Sequence, residues 1–433
     1  MVHRSFLLPA LLSFGTACGQ SLYFPPTFGS AWETQDPAAL NWCTDQVPPL
    51  HDFLESTNTK AFLVLKDGRI VIEHYFGTFT ADSLWYWASA GKSLTAFLVG
   101  KAQEEGFLDI DDPSSAYLGV GWTSCTPEQE AAITIRNQLT MTSGLDDSGD
   151  LDCTAPACLQ FLAEPGTRWS YHNAPYTLLD GVIEDATGQS LNSYLFSKLT
   201  VTTGLQGAFV QIGSNNVFLS KARAMARFGL LALAQGQWNG EPIMTDSDYF
   251  QAMVTPSQAL NPAYGYLWWL NGQSTYMLPG IQLSLPGMLC PAAPSDMYSA
   301  MGKNGQICNV SPAEGLVVVR LGDLPTQGVF VPNAYNDQIW QYLNAVMCST
   351  TSIQENTTPR MELFPNPPRD RVEVRVGQGS GEITVRDGSG RIVLSQKTSS
   401  ERIGLDVSGL ASGCYTVAFR GESGAATVRF VKE

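Results

Sequence analysis

Ser89 and Lys92 stand three residues apart in the stretch WYWASAGKSLTAFLVG, residues 85–100. On a helix that spacing puts both side chains on one face, so an amine at 92 reaches a hydroxyl at 89 and can activate it as a nucleophile. The N-terminus of such a helix adds backbone N–H groups and partial positive charge, which stabilise an oxyanion and disfavour protonation of the lysine. Ser89 is the only serine of the chain with a lysine three residues on. The same stretch contains Gly91-Lys92-Ser93, the ending of a phosphate-binding loop. That loop needs a glycine where Tyr86 stands, and the aromatic residues at 85–87 cannot wrap phosphate. Nucleotide binding is therefore excluded.

Two further short patterns carry chemistry. Tyr171-His172-Asn173 lies in WSYHNAPY, after a loop and before a helix, a location that suits an exposed functional group. A phenol titrates near pH ~10 and is a poor base unless cations favour its ionised form, as two lysines beside it would. Tyr342-Leu343-Asn344 repeats the spacing inside a late helix, where Tyr342 reads as core packing. Lys303-Asn304-Gly305 precedes a strand. Lys303 supplies positive charge, and Gly305 allows close backbone approach of a substrate at a sheet edge. Lys66-Asp67-Gly68 has the same pattern but reads as a turn.

Other catalytic classes fit poorly. His51, His74 and His172 stand apart, without the H-E-x-x-H spacing of a zinc site. DDSGDLD, with Asp146, Asp147, Asp150 and Asp152, lacks calcium-loop spacing and reads as a solvated acidic loop. No serine sits in a G-x-S-x-G elbow. What remains is acyl transfer through a lysine-activated serine, which calls for no metal and no cofactor.

The elements that must position these residues follow from periodicity. VPPLHDFLEST reads as a short helix, and AFLVLKDGRIVIEHYFG as a hairpin turning at Lys66-Asp67-Gly68. A helix begins near Ser89, with Leu94, Phe97, Leu98 and Lys101 at helical spacing. The middle is mainly helical, as in APYTLLDGVIEDATG and SKARAMARFGLLALAQG. Three late strands, YGYLWWL, GQICNVS and GLVVVRLG, precede a closing helix, AYNDQIWQYLNAVMC. The expectation is an α+β domain whose one antiparallel sheet is assembled from both ends and flanked by helices. STTSIQENTTPR, residues 349–360, reads as a linker. Beyond it RVEVRV, EITVRD, RIVLSQ, GCYTVAF and ATVRFV read as a small all-β sandwich.

Composition agrees with a large folded domain plus a smaller one: 433 residues, 44% hydrophobic and 15% charged. The formal charge of −15 is uneven, since residues 361–433 hold 9 acids and 10 bases and the first 360 residues hold 31 acids and 15 bases. So acidic a surface repels phosphate backbones, which argues against nucleic acid as a partner. Residues 1–19 have the basic start, apolar run and small-residue end of an export signal, and no other stretch approaches a membrane span. A competing reading makes Cys18 a lipid-bearing residue. Without Cys18 eight cysteines remain, an even number that favours disulfides in an exported chain. Cys153–Cys158 and Cys290–Cys308 are the candidate pairs, with Cys414 left unpaired. Trp85, Tyr86 and Trp87 with Trp268 and Trp269 read as core packing ahead of an apolar acyl pocket.

Taken together, Ser89-x-x-Lys92, Tyr171-x-Asn173 and Lys303-x-Gly305, in that order, resemble the class C β-lactamase and penicillin-binding-protein-like serine hydrolase family. That family includes D-alanyl-D-alanine carboxypeptidases, esterases and aminohexanoate-oligomer hydrolases. QLTMTSGL (138–145) and YGYLWW add to the match, which spans about 45–348. The resemblance implies a β-lactamase/transpeptidase-like fold over residues 20–348. It implies Ser89 as the acylated nucleophile, Lys92 and Tyr171 exchanging its proton, and Asn173 and Lys303 positioning an ester or amide substrate. The backbone N–H groups of Ser89 and Gln306 would form the oxyanion hole. Three positions depart from the family pattern: His172 for serine, Met141 for histidine, and Asn304 for threonine or a small residue. Asn304 would crowd the place where a β-lactam carboxylate is held. The alternative is a family member without turnover that binds a ligand or peptidoglycan fragment. Residues 361–433, with FPNPPRD, VRDGSGRIV, LDVSGLASGCYTV and FVKE, resemble the C-terminal sorting domain of type IX secretion substrates in the Bacteroidota. This implies the export machinery as a partner and a secreted or cell-surface location reached through the periplasm. A carbohydrate- or surface-binding sandwich is the rival reading.

Overall fold

The computed structural model describes residues 22–324, 330–349, 361–364, 368–375, 380–387, 391–400, 402–421 and 424–432. The expected export signal, Cys18 and the linker from residue 350 onward lie outside them. The chain divides into two compact units, one ending at Cys348 and one beginning at Ser349.

In the first unit, helix α1 (Val47–Ser56) carries prolines in its first turn, where their missing N–H groups cost nothing, and buries Leu50 and Leu54. Strands β1 (Thr59–Lys66) and β2 (Arg69–Tyr75) form the expected hairpin. Its turn needs two residues at positive φ, and Asp67 (48°) and Gly68 (84°) supply them. The central helix α2 (Gly91–Glu104) is buried nearly all round, and a Cβ at Gly100 would lie 2.1 Å from the Tyr249 ring. Then come α3 (Asn173–Thr177), α4 (Leu179–Thr187), the hairpin β3 (Gly207–Ile212) and β4 (Asn215–Ser220), and α5 (Ala222–Leu233). The late segment supplies β5 (Trp269–Leu270), β6 (Tyr298–Gly302), β7 (Gln306–Ser311), β8 (Leu316–Gly322) and helix α6 (Asn333–Val346).

One six-stranded antiparallel sheet runs β2-β1-β8-β7-β6-β5, so residues near 60 and near 320 are neighbours, as the sequence implies. The register pairs Leu63 with Val319 and Leu65 with Val317, giving a continuous apolar core under α5. At the closest point a Cβ on Gly229 of α5 would lie 2.4 Å from Val317. Two details differ from expectation. Strand β6 was not legible because YSAMG has no marked alternation, and YGYLWWL contributes only two strand residues. Tyr342 is not in the core: it is 37% exposed and stacks on Phe53 with ring centroids 4.5 Å apart. Among the described residues no helix is long and apolar enough to cross a membrane.

In the second unit the strands are β9 (Glu362–Phe364), β10 (Arg371–Arg375), β11 (Gly381–Arg386), β12 (Ile392–Thr398), β13 (Arg402–Asp406), β14 (Gly413–Gly421) and β15 (Gly424–Lys432). They form two sheets, β9-β10-β13 and β12-β11-β14-β15. Alternate residues, including Val372, Val374, Ile383, Val385, Val417 and Phe419, enter one shared core. This is the expected sandwich.

The cysteines pair only partly as expected. Cys153–Cys158 is a disulfide, and Cys414 is free and exposed. Cys290 and Cys308 are not joined, which corrects that pairing. Cys308 faces the Met225 carbonyl on α5, whereas Cys290 contacts Asn333 and Asn336 of α6. The second disulfide instead links Cys43 to Cys348 across 305 residues and ties the entry of α1 to the end of α6. The Cys43 amide also donates to Val346 O at 2.8 Å. Closing so long a loop restricts the unfolded chain strongly, so Cys43→Ala with Cys348→Ala is expected to destabilise the first unit by about 2–4 kcal/mol. Urea denaturation of the double variant checks this, and an unchanged midpoint would refute it.

Candidate active site

The nucleophile candidate sits on a turn held from both sides. Ser89 is the middle residue of a single helical turn, Ala88–Ala90, that leads into α2. Ala88 takes φ 47°, a strained value for a residue with a Cβ. Before it, the Trp87 amide donates to Phe218 O at 2.8 Å and its indole N–H to the Ser220 hydroxyl at 2.7 Å. On the other side lies the end of β6, where a Cβ on Gly302 would fall 2.8 Å from the Ser89 nitrogen and 2.6 Å from Trp87 O. Gly302 therefore keeps the space in front of the Ser89 amide free. Its role was not legible in the sequence.

One turn into α2, Lys92 donates from Nζ to Ser89 Oγ at 3.1 Å. Only 3% of this lysine is exposed. Its Nζ lies 4.1 Å from the ring centre of Tyr176 and 5.3 Å from that of Tyr171. Burial pulls its ammonium down to about 7; Asp152 and Asp180 oppose that shift, and Lys303 adds to it. Asp180, on α4, is buried; its Oδ2 accepts from the Asn216 amide at 2.9 Å and its Oδ1 has no partner among the described residues. Burial pushes that carboxyl up to about 7, with Asn216 and Lys92 pulling the other way.

Tyr171 completes the near surroundings of Ser89, but not as an exposed group. It is 6% exposed, stacked on Trp269 at 5.7 Å and edge-on to Tyr264. Burial pushes its phenol up, and only a hydrogen bond with the Ser89 hydroxyl pulls it back. The expectation that two lysines favour the phenolate is thus not met: burial dominates, and Ser89 is the group that opposes it. Upstream, Ser170 N donates to Met141 O at 2.8 Å, so the QLTMTSGL segment braces the Tyr171 segment.

Asn173 begins α3 and lines the same cleft. Its Nδ2 donates to Asp152 Oδ1 at 2.7 Å, and the Ala174 amide to Leu151 O at 2.8 Å. The DDSGDLD loop is consequently docked, not merely solvated. Asp147 pairs with Arg168 at 2.6 Å and accepts the Ser170 hydroxyl. His172 is buried, does not line the cleft, and has its pKa lowered chiefly by burial.

The third pattern forms the turn between β6 and β7. Lys303 is exposed and lines the cleft. Asn304 (φ 63°) and Gly305 (φ 80°) turn the chain back. The carbonyls of both accept from Arg320 Nη1, whose guanidinium also donates to Thr57 O, Asp323 O and Thr59 Oγ1. A Cβ on Gly305 would lie 2.6 Å from that Nη1. The glycine therefore makes room for Arg320, not for a substrate, which corrects its assigned role. Asn304 donates to the Tyr86 hydroxyl at 2.8 Å and does not crowd the cleft. The Gln306 side chain folds onto Lys303 O and Gly322 O, leaving its backbone N–H as its only candidate contact to substrate.

Ser89, Lys92, Tyr171, Asn173 and Lys303 thus share one cleft of about 140 Å³. Gly305 and Gln306 do not line it. Asp152, Tyr176, Asn215, Asn216, Ile212, Val217 and Phe330 do, and these the sequence analysis missed. Trp87, Trp268 and Trp269 are core residues, each 2% exposed or less. Among the described residues no group of three or more side chains is arranged to hold a metal ion.

Comparison with known proteins agrees with the fold. Residues 54–335 match the Beta-lactamase family, and residues 362–433 match the Secretion system C-terminal sorting domain. The 6-aminohexanoate-dimer hydrolase of Paenarthrobacter ureafaciens is 23% identical over 339 residues, 66% of this chain and 78% of that protein. A putative 6-aminohexanoate-dimer hydrolase from Bacillus anthracis superposes with a TM-score of 0.58 at 18% identity, over 77% of this chain and 92% of that one. A family VIII carboxylesterase gives a TM-score of 0.53 at 14% identity, over 72% and 98%.

The electrostatics of Lys92 give a signed prediction. Its neutral amine is the form that accepts the Ser89 proton, so labelling of Ser89 by a fluorophosphonate is expected to rise with pH through about 7 and then level off. Asp180→Asn removes a charge that favours the ammonium, and the rising limb is expected to move to lower pH. A limb that stays in place would show that Asp180 does not act on Lys92.

Proposed function

The chain belongs to the β-lactamase family, and from that premise we propose that it is an exported serine hydrolase cleaving an ester or amide through an acyl-Ser89 intermediate. The observation that carries this reading is the 3.1 Å hydrogen bond between Ser89 Oγ and a buried Lys92 whose ammonium burial pulls down to about 7. The family contains members acting on different carbonyl substrates; an amide oligomer hydrolase and a carboxylesterase are among the proteins similar to this one.

In the proposed reaction Ser89 Oγ attacks the substrate carbonyl carbon while Lys92 takes the hydroxyl proton. Of Lys92 and Tyr171, Lys92 is the better first base, because burial holds the phenol protonated. Negative charge developing on the carbonyl oxygen is met by the Ser89 N–H; Gln306, which does not line the cleft, is not assigned this role. Such a donor contributes about 10²–10³-fold in rate, and Gly302 keeps the approach to the Ser89 N–H open. The proton then passes from Lys92, with Tyr171 as relay, to the leaving oxygen or nitrogen, and the carbonyl reforms as acyl-Ser89. Water attacks the acyl group as Lys92 takes its proton, the bond to Ser89 Oγ breaks with that proton passing from Lys92 to Oγ, and the acid product leaves. Lys303 and Asn173 hold the substrate on either side of the reacting carbonyl.

Export follows from the two ends of the chain. Residues 1–19 serve as the signal for passage to the periplasm, 349–360 as linker, and 361–433 as the address read by type IX secretion machinery, leading to a secreted or cell-surface protein.

Ser89→Ala is expected to abolish fluorophosphonate labelling and to lower turnover of p-nitrophenyl esters at least about a thousandfold. Its melting temperature should stay close to that of the parent. Ester turnover surviving in this variant would overturn the reading.

A further inference from the structure

Asp152 is a carboxylate in the cleft whose charge favours the Lys92 ammonium but which is bonded to no cation among the described residues. It lines the pocket together with Ser89, Lys92 and Asn173, and it makes no ion pair among the described residues. Its neighbours are committed elsewhere. Asp147 is paired with Arg168, Asp150 Oδ1 accepts the Asp152 amide at 3.0 Å, and Asp180 is buried against Asn216. The only side-chain bond of Asp152 is the one its Oδ1 accepts from Asn173 Nδ2, which leaves Oδ2 free among the described residues. That bond also fixes the Asn173 amide. A carboxylate oxygen needs a donor, so Nδ2 must face Asp152, and Asn173 Oδ1 is left buried without a partner.

The two residues that share this bond thus each keep an unused acceptor, the one on Asp152 charged, and both line the cleft of the nucleophile. They are held rigidly. Leu151 O accepts from the Ala174 amide, and the residue after Asp152 is locked by the Cys153–Cys158 disulfide. A preorganised acceptor pair of this kind spends little ordering entropy when it binds a donor. It repels a like-charged group, which would have to be desolvated against Asp152.

Resting on the hydrolase reading above, we propose that Asp152 and Asn173 form a cation-reading subsite, so that the preferred ester or amide carries an amine close to the carbonyl that Ser89 attacks. A carboxylate at the same place is selected against.

The test uses the phenyl esters of alanine, N-acetylalanine and N-succinylalanine, which carry on the α-carbon an ammonium, a neutral amide, and the same amide extended by a carboxylate. At pH 7 the full-length protein is expected to favour the alanine ester over the succinyl ester about tenfold or more in kcat/KM. Asp152→Asn keeps the acceptor for Asn173 and removes the charge, and is expected to bring that ratio close to one, mainly through a higher KM for the alanine ester. A change in Lys92 basicity caused by the substitution acts on turnover, so the preference is also read as binding without turnover. A parent enzyme without charge preference, or a ratio unchanged in Asp152→Asn, would overturn the proposal. Calorimetric titration of the alanine and succinyl esters into Ser89→Ala, with and without Asp152→Asn, reads the same preference as binding without turnover. If no ester is hydrolysed yet the alanine ester binds better and only while Asp152 is present, the hydrolase reading fails and the subsite stands. If esters are hydrolysed but neither measurement depends on Asp152, the subsite fails and the hydrolase reading stands.

Discussion

Removing the Lys92 amine from water is the constraint on which the rest of the site depends. An ammonium in bulk solvent holds its proton far too firmly to accept one from a serine hydroxyl at neutral pH. Burial on α2, with the ring of Tyr176 at 4.1 Å, makes the charged form costly and brings the amine to about 7. The cost is moderated by Asp152 and Asp180, so the lysine is neither permanently charged nor permanently neutral. Desolvation alone would have overshot, and full ion pairing would have undone it.

A second constraint is that the groups meeting at Ser89 come from segments more than 200 residues apart in sequence, from 89 to 303. The sheet solves this by pairing β1 with β8, and the Cys43–Cys348 disulfide joins the entry of α1 to the end of α6. Arg320 then fixes the turn that carries Lys303. Its guanidinium is fully buried without a carboxylate, and its donors go to carbonyls of Thr57, Asn304, Gly305 and Asp323 and to Thr59 Oγ1. A buried cation satisfied by backbone dipoles acts as a pin between the start of β1 and the β6–β7 turn. Gly302 and Gly305 are the complementary empty spaces, one in front of the Ser89 amide and one for the pin.

What the sequence made legible was set by how local the determining physics is. The Ser89–Lys92 contact follows from helical spacing alone, and the β1–β2 hairpin from alternation and a turn pair tolerant of positive φ. The β-sandwich at the end was legible for the same reason. Tyr171 was found, but its burial was not, because the rings that enclose it, Tyr264 and Trp269, lie about a hundred residues away. Gly305 was read as a backbone approach point because Arg320 cannot be linked to it from sequence. Cys290 and Cys308 looked paired because they flank Lys303, yet α5 and α6 draw their sulfurs to different neighbours. Asp152 was hidden most completely: four aspartates in seven residues look like a solvated loop until Asn173 is seen to anchor one of them.

Asp152 also couples substrate charge to the base. The carboxylate favours the ammonium form of Lys92 and so opposes proton abstraction in the empty cleft. An ammonium group seated on Asp152 cancels much of that field, and Lys92 is left with burial and Lys303, both of which favour the free amine. A bound carboxylate would do the reverse, adding negative charge and raising the fraction of Lys92 that is protonated and unable to act. The charge carried by a substrate thereby bears on its own activation as well as on its binding. In the cleft that Asp152 and Lys92 share, the two effects have the same sign and reinforce each other.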